Sequence, residues 1–373
     1  MNLLGIFHKK KSYSCLLLNN NLHFTSRNTL EPCCSANIGP VMVKDLDKKN
    51  SIREFIKEKQ KYINMLKNGD IPEGCKNCVH LTSYKKTNYL KINKITLNHY
   101  TQCNCACIYC TQGNRTLEKI KEDEDKPILY DVLKFINELY DMSIIDKQKL
   151  YIDFQGGNIS CLKNYHDIIN TFINRGVGTI YIPTNNIIYM PVIEKLLAMK
   201  KGELCTAIDS GCSETYLKIK QVDKFNKVIE NLKKYAATKK SQEAIRLKYI
   251  IIPTINDNIH EFKQFLKIAK MLHVKNLIID IDARYSRMTE YNIDPYFINL
   301  AEKMNSIALR QNFVTEFYSF LLQNTNNKKM YKLNILQNII KRIKFKYFNK
   351  KIKDLYLYHH YGLNRLFDKK FIF

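Results

Sequence analysis

Between about residue 90 and residue 285 the chain alternates six short β-rich runs with longer segments of helical periodicity, and no other feature restricts its fold as tightly. Strands that return to parallel neighbours need a crossover connection, and a helix is the usual one. The runs lie at 91–97, 149–154, 178–182, 204–208, 245–252 and 276–281. Lys126-Pro127 opens a helix to about Met142, with Leu129, Val132, Leu133, Ile136 and Leu139 at helical spacing. Gly156-Gly157 closes the second run and a helix follows to about Asn174; Ser213 and Glu214 open one long helix to about Tyr235, and Pro253 ends the fifth run. Six such units in series predict an α/β fold, a six-stranded parallel (β/α)6 partial TIM barrel whose site lies in the loops at the strand C-terminal ends.

The sequence divides into three segments: an N-terminal cysteine-rich extension at 1–85, the barrel at 86–285 and a helical, basic C-terminal extension at 286–373. The net charge of +25 would ordinarily raise nucleic acid as a partner. Here Lys, Asn, Ile and Tyr are all abundant and Trp is absent, a skew that matches the codon usage of an AT-rich genome, so nucleic acid is not expected as the partner. Basic residues do concentrate near the end, where Lys341, Arg342, Lys344, Lys346, Lys350, Lys351 and Lys353 alternate with apolar residues. That pattern suits a terminal helix docked on its own domain better than one lying on a membrane. The short apolar run Asn2–Phe7 precedes its charges instead of following them, and no stretch is long and apolar enough for a membrane span. A cytoplasmic location is therefore expected, and twelve cysteines in a reducing compartment point to metal ligation before disulfides.

The cysteines are grouped. Cys103, Cys107 and Cys110 form C-x3-C-x2-C directly after the first β-rich run. Thiolates match iron, and three ligands on one short loop leave one iron of a four-iron cluster open for chemistry. Adding Cys105 would make four thiols for tetrahedral zinc. Zinc does not account for Gly156-Gly157 or for the six strand-helix units.

This combination resembles the radical S-adenosylmethionine superfamily. The resemblance implies a 4Fe-4S cluster on Cys103, Cys107 and Cys110, with Tyr109 near the adenine of S-adenosylmethionine. Gly156-Gly157-Asn158 is similar to the family's Gly-Gly-Glu motif, which binds the methionine amino group through its backbone; Asn158 stands in place of the glutamate and Ile159 in place of a proline. Asp209-Ser210-Gly211, with Glu214-Thr215-Tyr216 beyond it, resembles the loop near the ribose and carboxylate, and Asn256-Asp257 falls at a position often polar in the family. By this resemblance an electron from the cluster cleaves S-adenosylmethionine to a 5′-deoxyadenosyl radical, which abstracts hydrogen from a substrate. A reducing partner such as flavodoxin or ferredoxin is implied.

Cys15, Cys33, Cys34, Cys75 and Cys78 precede the barrel, and Cys75 and Cys78 have the spacing of a metal clip. The segment resembles the auxiliary-cluster (SPASM-like) segments of radical enzymes that act on peptides and sugars, although those usually follow the barrel. A second 4Fe-4S cluster or a zinc ion on Cys15, Cys75, Cys78 and one of Cys33 or Cys34, with Cys34 the named candidate, is expected. Three isolated thiols, Cys161, Cys205 and Cys212, fall near strand ends, and Cys212 is the candidate hydrogen donor because its loop belongs to the expected active face. Asp280 and Asp282 share one strand face, as a base or as a rim salt bridge.

The expected function is hydrogen abstraction from a peptide, a sugar or a related small molecule, giving oxidation or epimerisation. RNA modification and a non-catalytic zinc or iron-sulfur binding module are the alternatives.

Overall fold

The computed structural model describes residues 11–33, 41–46, 51–76, 78, 81–83, 91–110, 130–282 and 294–317. Cys34, the Lys126-Pro127 helix start and the basic run at 341–353 lie outside them. The chain is an α/β protein with a mostly parallel sheet, divided into two compact units.

The first unit comprises Met1–Tyr100, Pro127–Gly156 and Asn170–Gly178. It holds β1 (Tyr13–Cys15), β2 (Asn21–Thr25), β3 (Leu30–Glu31), β4 (Leu81–Ser83), β5 (Lys94–Asn98) and β6 (Tyr151–Phe154). β5 and β6 are the first two runs expected from the sequence, and they pair in parallel. The segment 1–85, expected to lack this rhythm, supplies a strand of its own: β2 runs parallel to β5, and β3 lies antiparallel on β2. Five residues of alternating character, Asn-Leu-His-Phe-Thr, are too few to stand out from a loop, and it takes β5 and β3 on either side to complete their hydrogen bonds. The two faces differ sharply. Leu22, Phe24, Ile95, Leu97, Ile152 and Phe154 are all buried on one, where Phe24 meets Phe135 of the helix Val132–Asp141 at 6.2 Å between ring centroids. Burying each such side chain contributes about 1.5–3 kcal/mol. Asp131 caps that helix by accepting from the Leu133 N–H.

The second unit comprises Thr101–Lys126, Gly157–Ile169 and Thr179–Phe373. Its strands β7 (Thr179–Pro183), β8 (Gly202–Ala207), β9 (Ile245–Ile251), β10 (Asn276–Ile281) and β11 (Val314–Phe317) pair in parallel in that order. Four of them match the runs expected from the sequence. The fifth, β11, falls in the segment expected to be helical: the helix Pro295–Arg310, capped by Asp294, is followed by a strand that needs β10 beside it. The single long helix expected from Ser213 to Tyr235 is two helices, Ser213–Lys220 and Phe225–Tyr235. Gln221 adopts the left-handed conformation, φ 59°, and ends the first. Its last-turn carbonyls thereby become available to other parts of the chain.

Candidate active site

Those carbonyls receive the cysteine loop. The Ala106 N–H donates to the Lys220 carbonyl at 3.2 Å and the Ile108 N–H to the Ile219 carbonyl at 3.0 Å. Ile108 and Tyr109 then pack on Ile219, Ile250 and Ile252. At the other end the Asn158 N–H donates to the Gln102 carbonyl at 2.7 Å, and between the two anchors the Cys110 N–H closes a turn onto the Cys107 carbonyl at 3.0 Å.

Cys103, Cys107 and Cys110 are partly buried reduced thiols on this loop, while Cys105 is buried, 2% exposed. Cys105 hydrogen-bonds with both Cys103 and Cys107; these bonds and burial push its own thiol up, while the Cys107 thiol is held down first by its bond to Cys105 and then by the Lys220 charge. Cys105 is thus pushed toward its thiol form and Cys107 toward the thiolate, the form in which a cysteine ligates metal. Among the described residues no group of three or more His, Cys, Asp or Glu side chains is drawn together as a closed metal site. Three soft thiols on one doubly anchored loop nonetheless fit a cluster that leaves an iron open.

The Gly-Gly turn meets the loop closely. A Cβ on Gly157 would lie 2.0 Å from the Gln102 carbonyl oxygen, and one on Gly156, at φ +102°, would lie 2.4 Å from the Tyr100 oxygen. Gly157→Ala is expected to push the cysteine loop away from its anchor, costing about 1–3 kcal/mol. Iron bound per protein after reconstitution, and urea unfolding, check this; full iron content in the variant would show that the contact is not needed.

Asn158, buried at 3%, is a bracket. Its Oδ1 accepts from the Thr184 hydroxyl at 2.8 Å and the Asn185 N–H at 3.1 Å. Asn185 was not singled out by the sequence, yet its Nδ2 donates to Asn104 Oδ1 at 2.6 Å and to Cys105 Sγ at 3.2 Å and lies 4.0 Å from Cys103 Sγ. The Thr184-Asn185-Asn186 run at the end of β7 was the available signal.

Asp209, expected near the ribose, is fully buried and its carboxylate is filled. Oδ1 accepts from the Ile250 N–H at 2.8 Å; Oδ2 accepts from Tyr109 at 2.6 Å and pairs with Lys220 at 2.5 Å. Lys220 also donates to the Tyr109 oxygen at 2.5 Å and lies 4.9 Å from the centre of its ring. Burial alone would lower the Lys220 ammonium, but Asp209 and Cys107 outweigh it and the net direction is upward. Burial, with Asp209 beside it, raises the Tyr109 phenol. The Ser210 hydroxyl, also fully buried, donates to the Ile208 carbonyl at 3.3 Å. Asn256 staples this loop from below, donating to the Asp209 carbonyl at 2.7 Å and accepting from the Ile252 N–H at 2.6 Å. Asp209, Ser210 and Asn256 therefore shape the loop through buried bonds that use its backbone as well as its side chains.

Cys212 lies 3.4 Å from the Thr215 hydroxyl and 3.8 Å from Glu261, which also accepts the Gly211 N–H at 2.6 Å. Cys205 is buried beneath the sheet surface. Cys161, raised first by burial and then by Cys103, is the isolated thiol that neighbours the cysteine loop. Asp280 forms the salt bridge, at 2.8 Å to Lys248. In the first unit the pairing of β1 with β4 brings Cys15 near Cys75 and Cys78, whose charges add to the upward push that burial gives the Cys15 thiol, to about 11.

Residues 97–269 match the model of the radical SAM superfamily, from the end of β5 through most of the helix Ile259–Met271. This segment, a little under half of the chain, is similar to the radical SAM superfamily. A GTP 3′,8-cyclase of Desulforamulus reducens is 25% identical over 194 residues, covering 51% of this chain and 55% of that protein. One of Clostridium botulinum is 23% identical over 193 residues, covering 51% and 57%. The chain thus spans about half the length of the curated relatives it matches. Among solved structures, Streptococcus suis SuiB bound to S-adenosylmethionine gives a TM-score of 0.48 at 13% identity, covering 75% of this chain and 59% of that one.

Proposed function

We propose that this chain is a radical SAM enzyme that reductively cleaves S-adenosylmethionine and abstracts hydrogen from a peptide, a sugar or a related metabolite, giving oxidation or epimerisation. The observation that carries the reading is the cysteine loop itself, with three partly buried thiols held between the last turn of the helix Ser213–Lys220 and the Asn158 bracket. The six strands β5 to β10 suit a partial TIM barrel with these loops at one rim.

Cys103, Cys107 and Cys110 would hold the 4Fe-4S cluster, and the Gly156-Gly157 backbone would face the methionine end of S-adenosylmethionine. When bound, the two together supply an electron and a carbon radical strong enough to take hydrogen from unactivated positions. The chain's own residues do the rest. Asn185 donates to Cys105, and Cys105 in turn hydrogen-bonds with Cys103 and Cys107, an arrangement that would moderate the charge of those two ligand sulfurs. Lys220 and Asp209 fix the Tyr109 ring, so its face can pack on an adenine without reorganising. Cys212 is the proposed hydrogen donor, and Cys161, which feels the charge of Cys103, is a second candidate. Cys15, Cys34, Cys75 and Cys78 would hold a second 4Fe-4S cluster or a zinc ion, supported by the approach of Cys15 to Cys75 and Cys78. Flavodoxin or ferredoxin is the proposed electron source, and the cytoplasm the proposed location; among the described residues no helix is long and apolar enough to cross a membrane.

The test is anaerobic reconstitution with iron and sulfide, then dithionite and S-adenosylmethionine, with 5′-deoxyadenosine measured by chromatography. Wild-type protein is expected to be brown and to form product; a Cys103→Ala/Cys107→Ala/Cys110→Ala variant is expected to lose at least 100-fold of it, since chemistry of this difficulty has no other source in the chain. Wild-type protein with a full cluster and no product would sink the proposal, and a colourless metal-bound protein would favour zinc.

A further inference from the structure

The face of the first unit's sheet opposite its apolar one is polar and yet buried. Register makes it a set of rows. Glu31 lies across from His23 on the antiparallel β3–β2 pair, His23 across from Thr96 on β2–β5, and Thr96 across from Asp153 on β5–β6. Residues directly opposite share a face, so these four side chains form one line across four strands. They are 1%, 3%, 1% and 3% exposed. A second row, Asn21, Lys94 and Tyr151, lies two residues toward the strand starts.

Buried polar atoms in folded proteins almost always have hydrogen-bond partners, because an orphaned one keeps the full cost of leaving water. Along these rows Glu31 Oε2, His23 Nε2, Thr96 Oγ1 and Asn21 Oδ1 have none among the described residues. The remaining atoms of the same side chains are well used. Glu31 Oε1 accepts from Arg27 at 2.9 Å and from Thr29 at 3.0 Å, Asn21 Nδ2 donates to the Pro32 carbonyl at 3.0 Å, and His23 Nδ1 lies 3.3 Å from the Cys33 carbonyl. A ring that donates through Nδ1 leaves Nε2 as an acceptor. Three of the four orphans are therefore acceptors, and the fourth, the Thr96 hydroxyl, can play either part.

Charge on this face is already balanced. Lys94 pairs with Asp153 at 3.2 Å and Arg27 with Glu31 at 2.9 Å, and burial holds His23 neutral by lowering it to about 4. A ligand bearing net charge would leave that charge buried without a partner. A neutral ligand rich in donors would satisfy the acceptors at no such cost. Glu31, His23 and Asn21 also lie outside the segment that matches the radical SAM model, so this face belongs to the chain's own N-terminal addition as much as to the shared domain.

We propose that the row Glu31, His23, Thr96 and Asp153, with Asn21 beside it, is a binding face for a neutral ligand group that donates hydrogen bonds, a cluster of hydroxyls or of amide N–H groups. Its recognition needs neither the cluster nor S-adenosylmethionine, and it stands or falls separately from the radical chemistry.

The test uses full-length reconstituted protein in two measurements. Thr96→Val removes the orphaned hydroxyl at nearly constant volume, and the ligand-free variant is expected to melt higher than wild type by on the order of 2 °C; a lower melting temperature would mean that the hydroxyl has a structural partner, and would overturn the proposal. The second follows the His23 Nε2 resonance in protein labelled with 15N-histidine, assigned through His23→Gln, during titration with glycerol and, separately, with acetamide. A saturable shift with glycerol assigns a polyhydroxylated ligand, and one with acetamide an amide-bearing ligand. No saturable shift with either would show that water alone occupies these atoms.

Discussion

Lys220→Met is expected to destabilise the protein by about 3–5 kcal/mol, the cost of leaving a buried carboxylate without its cation. Lys220 is 2% exposed and Asp209 is fully buried, so solvent screens neither. The same substitution removes the donor that holds the Tyr109 oxygen, and the loss is expected to spread along the Ala106 and Ile108 anchors to the cysteine loop. Urea unfolding gives the stability, and iron content after reconstitution gives the effect on the site. Asp209→Asn keeps the acceptor for the Ile250 N–H but turns an amide toward Lys220, so alone it should be comparably harmful. Combined with Lys220→Met it should recover part of the loss, because the double variant leaves no unpaired charge. A cost below about 1 kcal/mol for Lys220→Met would show that the triad is not an anchor.

Acid is expected to unfold this protein well before its carboxylates titrate. Burial lowers His99 from 6.5 to about 3, and His23 from 6.5 to about 4. Between those values and 6.5 the unfolded chain binds protons that the folded chain refuses, so stability rises with pH and falls as pH drops through 6.5. Each group contributes a slope of about 1.4 kcal/mol per pH unit in its window. With both acting, the slope between pH 6 and pH 4.5 approaches twice that. Stability measured in urea at pH 7.5, 6.5, 5.5 and 4.5 is expected to stay level at first and then fall steeply, and His99→Leu is expected to halve the slope. A level profile down to pH 5 would mean that both rings reach a proton-stabilising partner.

Much of the site was legible because it depends on short-range order. C-x3-C-x2-C needs only a tight loop, and the loop has to follow a strand, which the run before Cys103 announces. Gly156-Gly157 signalled a close approach of backbone to backbone, and the Gln102 and Tyr100 carbonyls are what approach it. Asp209 was legible as a residue of the site but not in its role: the sequence shows a polar loop after a strand, whereas its carboxylate points inward to Lys220 and the Ile250 N–H. Asn158 went the same way and Asn185 was not singled out at all, since an asparagine at a strand end looks alike whether it binds a ligand or braces a neighbouring loop. The break at Gln221 left no mark on the helical periodicity, because it comes from a residue in an unusual conformation rather than from a missing apolar position.

The sequence by itself determined the six strand-helix units, the cysteine loop and its three thiols, for these rest on periodicity and spacing over a few residues. Only tertiary structure decided the partners. Tyr109 meets Asp209 across 100 residues and Lys220 across 111, and Glu31, His23, Thr96 and Asp153 align only once β3, β2, β5 and β6 are in register. Register is a property of paired strands, and a buried ion pair is a property of two positions that burial brings together; neither leaves a local pattern in the chain that forms it.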